Sequence, residues 1–445
     1  MKSVGIIAEY NPFHRGHRRQ ISFLKKQGIE NIVVALSGPF VQRGTPAWTD
    51  KFLRTRMALE QGADFVFELP VLYALSSAEG FAWGGVSLLN ALPLDGLCFG
   101  SECGDLKYLQ EIADFLTEQD THQDSRFPAE GYHADRSVSA ESSDTAHSGI
   151  TEYQQSLRDY LKRGYSYPAA REQALSHFFP KLLSADETPL SGANNILAIE
   201  YLKALKQTDS TMQPLTLARN DAGYHSRDLD TEIVSASAIR HGYAASASLD
   251  SCRHALPESV YTLLRDNPHR YPMQADDFSS LLYLRLRQAK APEEYTCYGH
   301  ISSELAHRMW NALPEYKEAS SFMDRLKTKN HTYSSISRAM ACLLLRITKE
   351  QLEQALQGVP YLRLLGMNPG KSRFLRQISG LPLITKVADY ERVLQAFYQD
   401  ASFRLAFALD CFEMDLAAAD LYRQVMYQKL GYMLPDEYRS GIQIL

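Results

Sequence analysis

The chain has 445 residues, 45% of them hydrophobic, and a net charge of −5, the profile of a soluble globular protein with room for two or three domains, each with its own core. No run of about eighteen apolar residues exists to span a bilayer, and the start MKSVGIIAEYNPFH turns polar too early for a secretory signal peptide, so the expected compartment is the cytoplasm. The six cysteines (Cys98, Cys103, Cys252, Cys297, Cys342, Cys411) are scattered without the paired spacing of a metal site and read as reduced thiols.

The N-terminal part alternates short apolar runs with longer amphipathic ones: VGIIA, then Arg15 to Gln27; NIVVALSG, then Asp50 to Glu60; DFVFELP, then Ser76 to Asn90; then DGLCFG. Near-continuous apolar strands, each followed by a helix, predict an α/β fold with a Rossmann-like, doubly wound parallel sheet covered by helices on both faces. Ligands of such sheets sit outside the carboxyl ends of the strands, so the loops after Ala8, Ser37, Leu69 and Phe99 are expected to converge on one site. Residues 119–149 carry the polar composition of a flexible surface insertion. Helical patterning resumes in ITEYQQSLRDYLKRG and NNILAIEYLKALKQ, and a strand-like PLTLARN precedes TEIVSASAIRHG. The nucleotide-binding domain is thus expected to span residues 1–245. Residues 246–445 read as a separate, mainly helical region, with SSISRAMACLLLRI, KSRFLRQI and RLAFALDCFEMDLAAADLYRQVMYQKL as its helices.

Two histidines stand in the first of those loops. In VGIIAEYNPFHRGH, Pro12 stops the strand, Gly16 permits a tight turn, and His14 and His17 open a helix whose free N–H groups and dipole attract anions. Phosphate chemistry suits this arrangement better than metal binding, because a helical zinc pair is normally spaced i, i+4 with a third ligand nearby. Lys51 and Arg54, on a helix with Asp50 as its N-cap, either reach the same crevice or form a charged outer face.

NPFHRGH resembles the His-x-Gly-His signature of the nucleotidyltransferase superfamily, whose histidines contact nucleotide phosphates and stabilise charge at the α-phosphate. VSASAIR resembles the second signature, a Ser/Thr-rich turn ending in Arg, with Ser235, Ser237 and Arg240 in place and Ala238 where Thr is usual. SGPFVQRGTPAWTDKFLRTRMAL, FELP, FGSE, NNILAIEYLKAL and KTKNHTYSSISRAM extend the likeness. Together they resemble the bacterial tRNA(Met) cytidine acetate ligase family, in order from Gly5 to about Lys371, with interruptions at residues 119–149 and around 245–300.

This resemblance implies an ATP-dependent ligase that forms acetyl-adenylate from acetate and passes the acetyl group to the wobble cytidine of elongator tRNA(Met), giving N4-acetylcytidine. It implies catalytic roles for His14 and His17, and an ATP site over Ile7, Ala8, Glu9, Tyr10, Asn11, Pro12, Phe13, His14, Arg15, Gly16, His17, Arg18, Arg19 and Gln20. Gly100, Asn194 or Asn195, Arg219, Ser235, Ser237 and Arg240 complete that site, with ATP arriving as its Mg²⁺ complex. Ala193 replaces the proline that usually precedes the paired asparagines.

Residues 325–376 hold ten Lys and Arg against Glu350 and Glu353, a local +8 that leaves −13 for the rest. This stretch is the candidate tRNA clamp, through Arg325, Lys327, Lys329 and Arg338, with Tyr333 or Phe374 to stack a base; a solvated helix face is the alternative. The two short signatures alone would also permit an adenylyltransferase acting on a small phosphorylated metabolite, or a non-catalytic RNA-binding protein. The sequence does not specify an oligomeric state.

Overall fold

A computed structural model describes residues 1–121, 151–165, 167–179, 190, 192–218 and 234–445. Runs rich in β-branched and aromatic residues form strands β1 (Ser3–Ala8), β2 (Asn31–Ser37), β3 (Phe65–Leu69), β4 (Gly96–Ser101) and β5 (Gln213–Ala218). All five are parallel, in the order β5-β4-β1-β2-β3. Side chains alternate across this sheet. Val33, Ala35, Phe65 and Phe67 face a core shared with the helices Ala78–Asn90 and Ala193–Gln207, while Ile32, Val34, Leu36 and Val66 face the helices Arg15–Lys26 and Lys51–Glu60. Both faces are covered, as the apolar strands predict.

The order reverses at β1, and there the sheet opens. β1 pairs with β2 along its whole length, from Ser3 opposite Asn31 to Ala8 opposite Leu36. Against β4 it pairs only at Val4 and Gly5. The carboxyl ends of β1 and β4 therefore part company, which is how a doubly wound sheet makes a crevice at its switch point.

Three further strands come from the second half of the chain: β6 (Leu362–Met367), antiparallel to β3, and β7 (Leu383–Ile384) and β8 (Gln443–Ile444), both parallel to β6. The sheet thus crosses the boundary at residue 245 expected from composition. Arg363 interrupts the run YLRLLGM and disguises a strand whose charge is buried. Its guanidinium pairs with Glu68 at 3.0 Å and with Glu437, and Lys51 bridges the same carboxylates at 2.7 and 3.0 Å. Elsewhere in this half, buried side chains between Leu282 and Leu343, among them Leu305, Phe322 and Ile336, form a separate helical core. The 29-residue helix Ser402–Leu430 packs against the first half: Asp415 accepts from the Val71 N–H at 2.7 Å, and the Tyr422 hydroxyl donates to the Ala47 carbonyl at 2.8 Å.

The Glu437 contact anchors the C-terminal tail, and its pH dependence is testable. Burial raises the Glu437 pKa, but Lys51 and Arg363 outweigh burial and hold it at about 2. A depressed carboxylate pKa stabilises the fold above the unfolded value of about 4.3, and that contribution fades as pH falls toward 2. Glu437→Gln is therefore expected to lower the unfolding midpoint at pH 7, with the gap from wild type narrowing below pH 4. A gap independent of pH, measured by fluorescence-monitored unfolding, would contradict the ion-pair account.

All six cysteines are free, and no helix among the described residues is long and apolar enough to cross a membrane. Residues 122–150, most of the expected insertion, lie outside the described residues.

Candidate active site

The chain leaves β1 through Tyr10, held at φ 46°, and a cis Asn11–Pro12 bond. A positive φ is unusual for an aromatic residue and persists only where the surroundings enforce it. Here Tyr10 and Phe13 are buried, and their ring centroids lie 4.8 and 5.4 Å from that of His17. The Asn11 side-chain oxygen accepts from the Trp48 N–H at 2.6 Å, and Arg240 donates to the Asn11 carbonyl. The loop is therefore tied to β2's following segment and to the helix Ala236–Ser246.

His14 is the N-cap of the helix Arg15–Lys26, its Nδ1 accepting from the Gly16 N–H at 3.0 Å. His17 reciprocates, its Nδ1 accepting from the His14 N–H at 3.2 Å. This is a capping box built from two imidazoles, and it stacks the rings at a centroid distance of 3.7 Å and 28°. Because each Nδ1 accepts, the neutral rings carry their protons on Nε2. Two N–H donors are thus fixed side by side at a helix N-terminus.

Both rings line a cleft of about 200 Å³ at the parted ends of β1 and β4. Ile7, Ala8, Glu9, Tyr10, Asn11 and Gln20 join them from the first segment, and Gly100, Asn194, Ser235, Ser237 and Arg240 from the other predicted positions. Ser235 caps its helix through the Ala238 N–H at 3.2 Å, and its hydroxyl lies 3.0 Å from that of Ser237. Burial lowers the Arg240 pKa to about 10, with Glu9 opposing the shift and Arg43 adding to it; the group remains a cation at neutral pH.

The paired asparagines separate in space. Glu102 accepts from both their backbone N–H groups, at 3.0 and 2.6 Å, and so caps the helix Ala193–Gln207. Asn195 is buried, its Oδ1 accepting from the Cys103 N–H at 3.2 Å, whereas Asn194 lines the cleft. Pro12, Phe13, Arg15, Gly16, Arg18 and Arg19 do not line it. Phe13 is core, the three arginines are exposed, and Gly16 acts through the N–H it gives His14. Arg219 lies outside the described residues.

The basic stretch divides likewise. Arg325 and Lys327 are exposed and pair with Glu315 and Asp324, and Lys329 is exposed. Arg338 is only 4% exposed, which corrects its assignment to an RNA-facing surface. Its position beside buried His300, whose pKa falls to about 3 through burial and then the Arg338 charge, is structural. Phe374 stacks on Phe65 at 4.7 Å inside the core, while Tyr333 is partly buried against the helical core.

Lys51 and Arg54 do not reach the cleft. Lys51 serves the Glu68 and Glu437 pairs. Arg54 is fully buried and donates to four backbone carbonyls: Glu9 at 2.7 Å, Ser37 at 2.8 Å, Thr49 at 3.1 Å, and Gly38. It holds the loops after β1 and β2 together. Asp50 caps the helix Lys51–Glu60, as predicted, and also pairs with Arg270 at 2.6 Å. The residue-level reading passed over Gln42, Arg43 and Thr45, which line the cleft from the loop after β2. Their signal was their place after a strand of the doubly wound sheet.

The model of the HIGH Nucleotidyl Transferase family matches residues 1–140 and 133–434. A tRNA(Met) cytidine acetate ligase of Lysinibacillus sphaericus is 33% identical over 448 residues, covering 99% of each chain. The chain belongs to the tRNA(Met) cytidine acetate ligase family. A relative of the same name from a Thermoanaerobacter species is 35% identical over 434 residues, 95% of each chain. The crystal structure of Thermotoga maritima TmcAL bound with alpha-thio ATP covers all of both chains with a TM-score of 0.83 at 27% identity. Its apo form gives 0.84 at the same identity. Membership over the full length joins the helical second half to the nucleotidyltransferase fold in one family architecture.

Proposed function

We infer that this family member joins acetate to AMP at the expense of ATP and transfers the acetyl group to the wobble cytidine of elongator tRNA(Met). The observation that carries the reading is the stacked His14–His17 pair at a helix N-terminus, both rings lining the crevice between β1 and β4. A triphosphate suits the walls of this cleft. Arg240 and the Ser235 and Ser237 hydroxyls supply donors for the β- and γ-phosphates, and Gly100 and Asn194 flank the nucleoside side. Mg²⁺ would enter with ATP, on its phosphates.

In the first step an acetate oxygen attacks the α-phosphorus and pyrophosphate leaves. Negative charge builds on the non-bridging oxygens, where His14 and His17 donate their Nε2 protons as hydrogen bonds. In the second step the cytidine N4 attacks the acetyl carbonyl, the acyl–phosphate bond breaks, and AMP departs as the amine loses its proton. No covalent enzyme intermediate is needed. Incubation with ATP, labelled acetate and tRNA tests the reading: label in tRNA(Met) is the expected result. Pyrophosphate release only with a phosphorylated metabolite would favour the adenylyltransferase, and no turnover would favour a binding protein.

The tRNA phosphates are assigned to Arg325, Lys327 and Lys329. The exposed ion pairs of the first two are each worth at most about 1 kcal/mol, so phosphate competes with them readily. Neutralising all three is expected to weaken tRNA binding and flatten its salt dependence by roughly 0.7 to 0.9 log units per lost contact. A matched triple variant at Arg15, Arg18 and Arg19, an exposed i, i+3, i+4 stripe on the first helix, is the comparison. A loss confined to that variant would move the docking face there.

A further inference from the structure

We propose that Arg43 is the ligand of the carboxylate substrate, and that the turn carrying it forms the acyl end of the cleft. The proposal rests on the ligase reading above, which requires a small carboxylate to lie beside the α-phosphate with one oxygen aimed at phosphorus.

A carboxylate entering a partly desolvated cleft loses hydration that a fixed cation must replace, and a guanidinium fork does so with two parallel hydrogen bonds. Among the described residues, two arginines line the cleft, Arg43 and Arg240. They are carried by different segments of the chain. Arg240 belongs to the helix opened by Ser235 and stands with the hydroxyls suited to the phosphate tail. Arg43 comes from the segment after β2, the strand on the far side of β1 from β4. Two cations held in one cleft by different elements divide the labour: one for the triphosphate, one for the acid.

The loop is built to hold Arg43 in place. The Gly44 N–H donates to the Val41 carbonyl at 2.8 Å and the Val41 N–H to the Thr45 carbonyl at 3.0 Å. Gln42 and Arg43 therefore occupy the tip of a tight turn. Glu9, at the end of β1, accepts from the Gln42 N–H at 2.8 Å. On the other side Gly44, at φ +78°, lies so close to the helix Tyr333–Leu345 that a Cβ there would fall 2.2 Å from the Arg338 backbone nitrogen. No side chain fits such a gap. Val41, the first residue of the turn, and Phe81, both nearly fully buried, line the same cleft and offer a methyl group apolar surface.

Burial lowers the Arg43 pKa while the nearby Glu9 charge raises it, so the guanidinium stays charged and poorly solvated. Such a cation gains more from an anionic ligand than a solvent-facing one does.

The test is acetate-dependent ATP–pyrophosphate exchange without tRNA, in Arg43→Gln, Arg43→Lys and Gly44→Ala. The expected result for Arg43→Gln is a rise of at least tenfold in the KM for acetate with the KM for ATP changed less than about threefold. Arg43→Lys should recover part of the loss, because it keeps the charge but not the fork. Gly44→Ala, which must displace the turn, should raise the acetate KM in the same direction. A KM for ATP that rises in step with that for acetate would overturn the proposal by placing Arg43 on the phosphates, and an unchanged acetate KM in a folded Arg43→Gln protein would also overturn it. Wild-type protein that exchanges pyrophosphate only with an acid other than acetate would refute the ligase reading while leaving the arginine testable against that acid. Exchange with no carboxylate at all would overturn both.

Discussion

Replacing His14 or His17 is expected to slow acetyl-adenylate formation by on the order of 10²-fold or more, the usual cost of removing a donor aimed at developing charge. The geometry refines how this should be tested. Each Nδ1 also accepts a backbone N–H in the capping box, so alanine at His14 removes a cap as well, at about 1 kcal/mol. Asparagine at position 14 retains a capping oxygen while deleting the Nε2 donor. If the role is chemical, His14→Asn and His14→Ala lose activity alike, and only the alanine variant loses stability. Because the rings stack at 3.7 Å and act on one phosphate, the double variant should be little slower than either single one, as expected for groups that act as a unit. Single-turnover measurement of acetyl-adenylate is the readout. Normal rates in His14→Asn would remove His14 from the chemistry.

The second large effect is on folding. Arg54→Met should destabilise the protein by more than about 4 kcal/mol, because it leaves four carbonyls on two loops without their donor in a buried site. Arg54→Lys should recover only part of this, since a single ammonium has three protons and no planar fork. Arg56, two residues along the same helix, is 53% exposed and pairs with Glu60, so Arg56→Ala should cost less than about 0.5 kcal/mol. Denaturant unfolding of the three variants gives the comparison. Equal stability of Arg54→Met and wild type would mean that the loops after β1 and β2 hold their shape without the guanidinium. The same loops carry Glu9 and lead to Arg43, so any folded Arg54 variant should also bind ATP and acetate more weakly.

Local rules of the chain determined much of this protein. Apolar runs of strand length separated by amphipathic helices dictated a parallel sheet covered on both faces, because each strand from β1 to β4 had to bury both sides. Pro12 and the two histidines dictated the end of a strand and an anion-receptive helix start, and Asp50 dictated a cap, choices that depend on neighbours within a few residues; Gly16, expected to permit a tight turn, instead lies in the first turn of the helix, and Tyr10 makes the turn at φ 46°. What lies beyond that range was settled only by tertiary packing. FLRTRMAL does not distinguish Arg54 from Arg56, yet one lies in the core and the other in water, since burial depends on which loops close over the helix. Arg338 and Arg363 looked like members of a basic surface until strand β6 and the helix Tyr333–Leu345 carried them inside, where Glu68 and Glu437, distant in sequence, meet Arg363. Asn194 and Asn195 were equivalent in the sequence, and the Glu102 cap turned one toward the cleft and the other into the core. Arg43 reaches the site because two loops and a helix from the second half meet around its turn, an arrangement that depends on contacts across some three hundred residues and on no pattern within the turn itself.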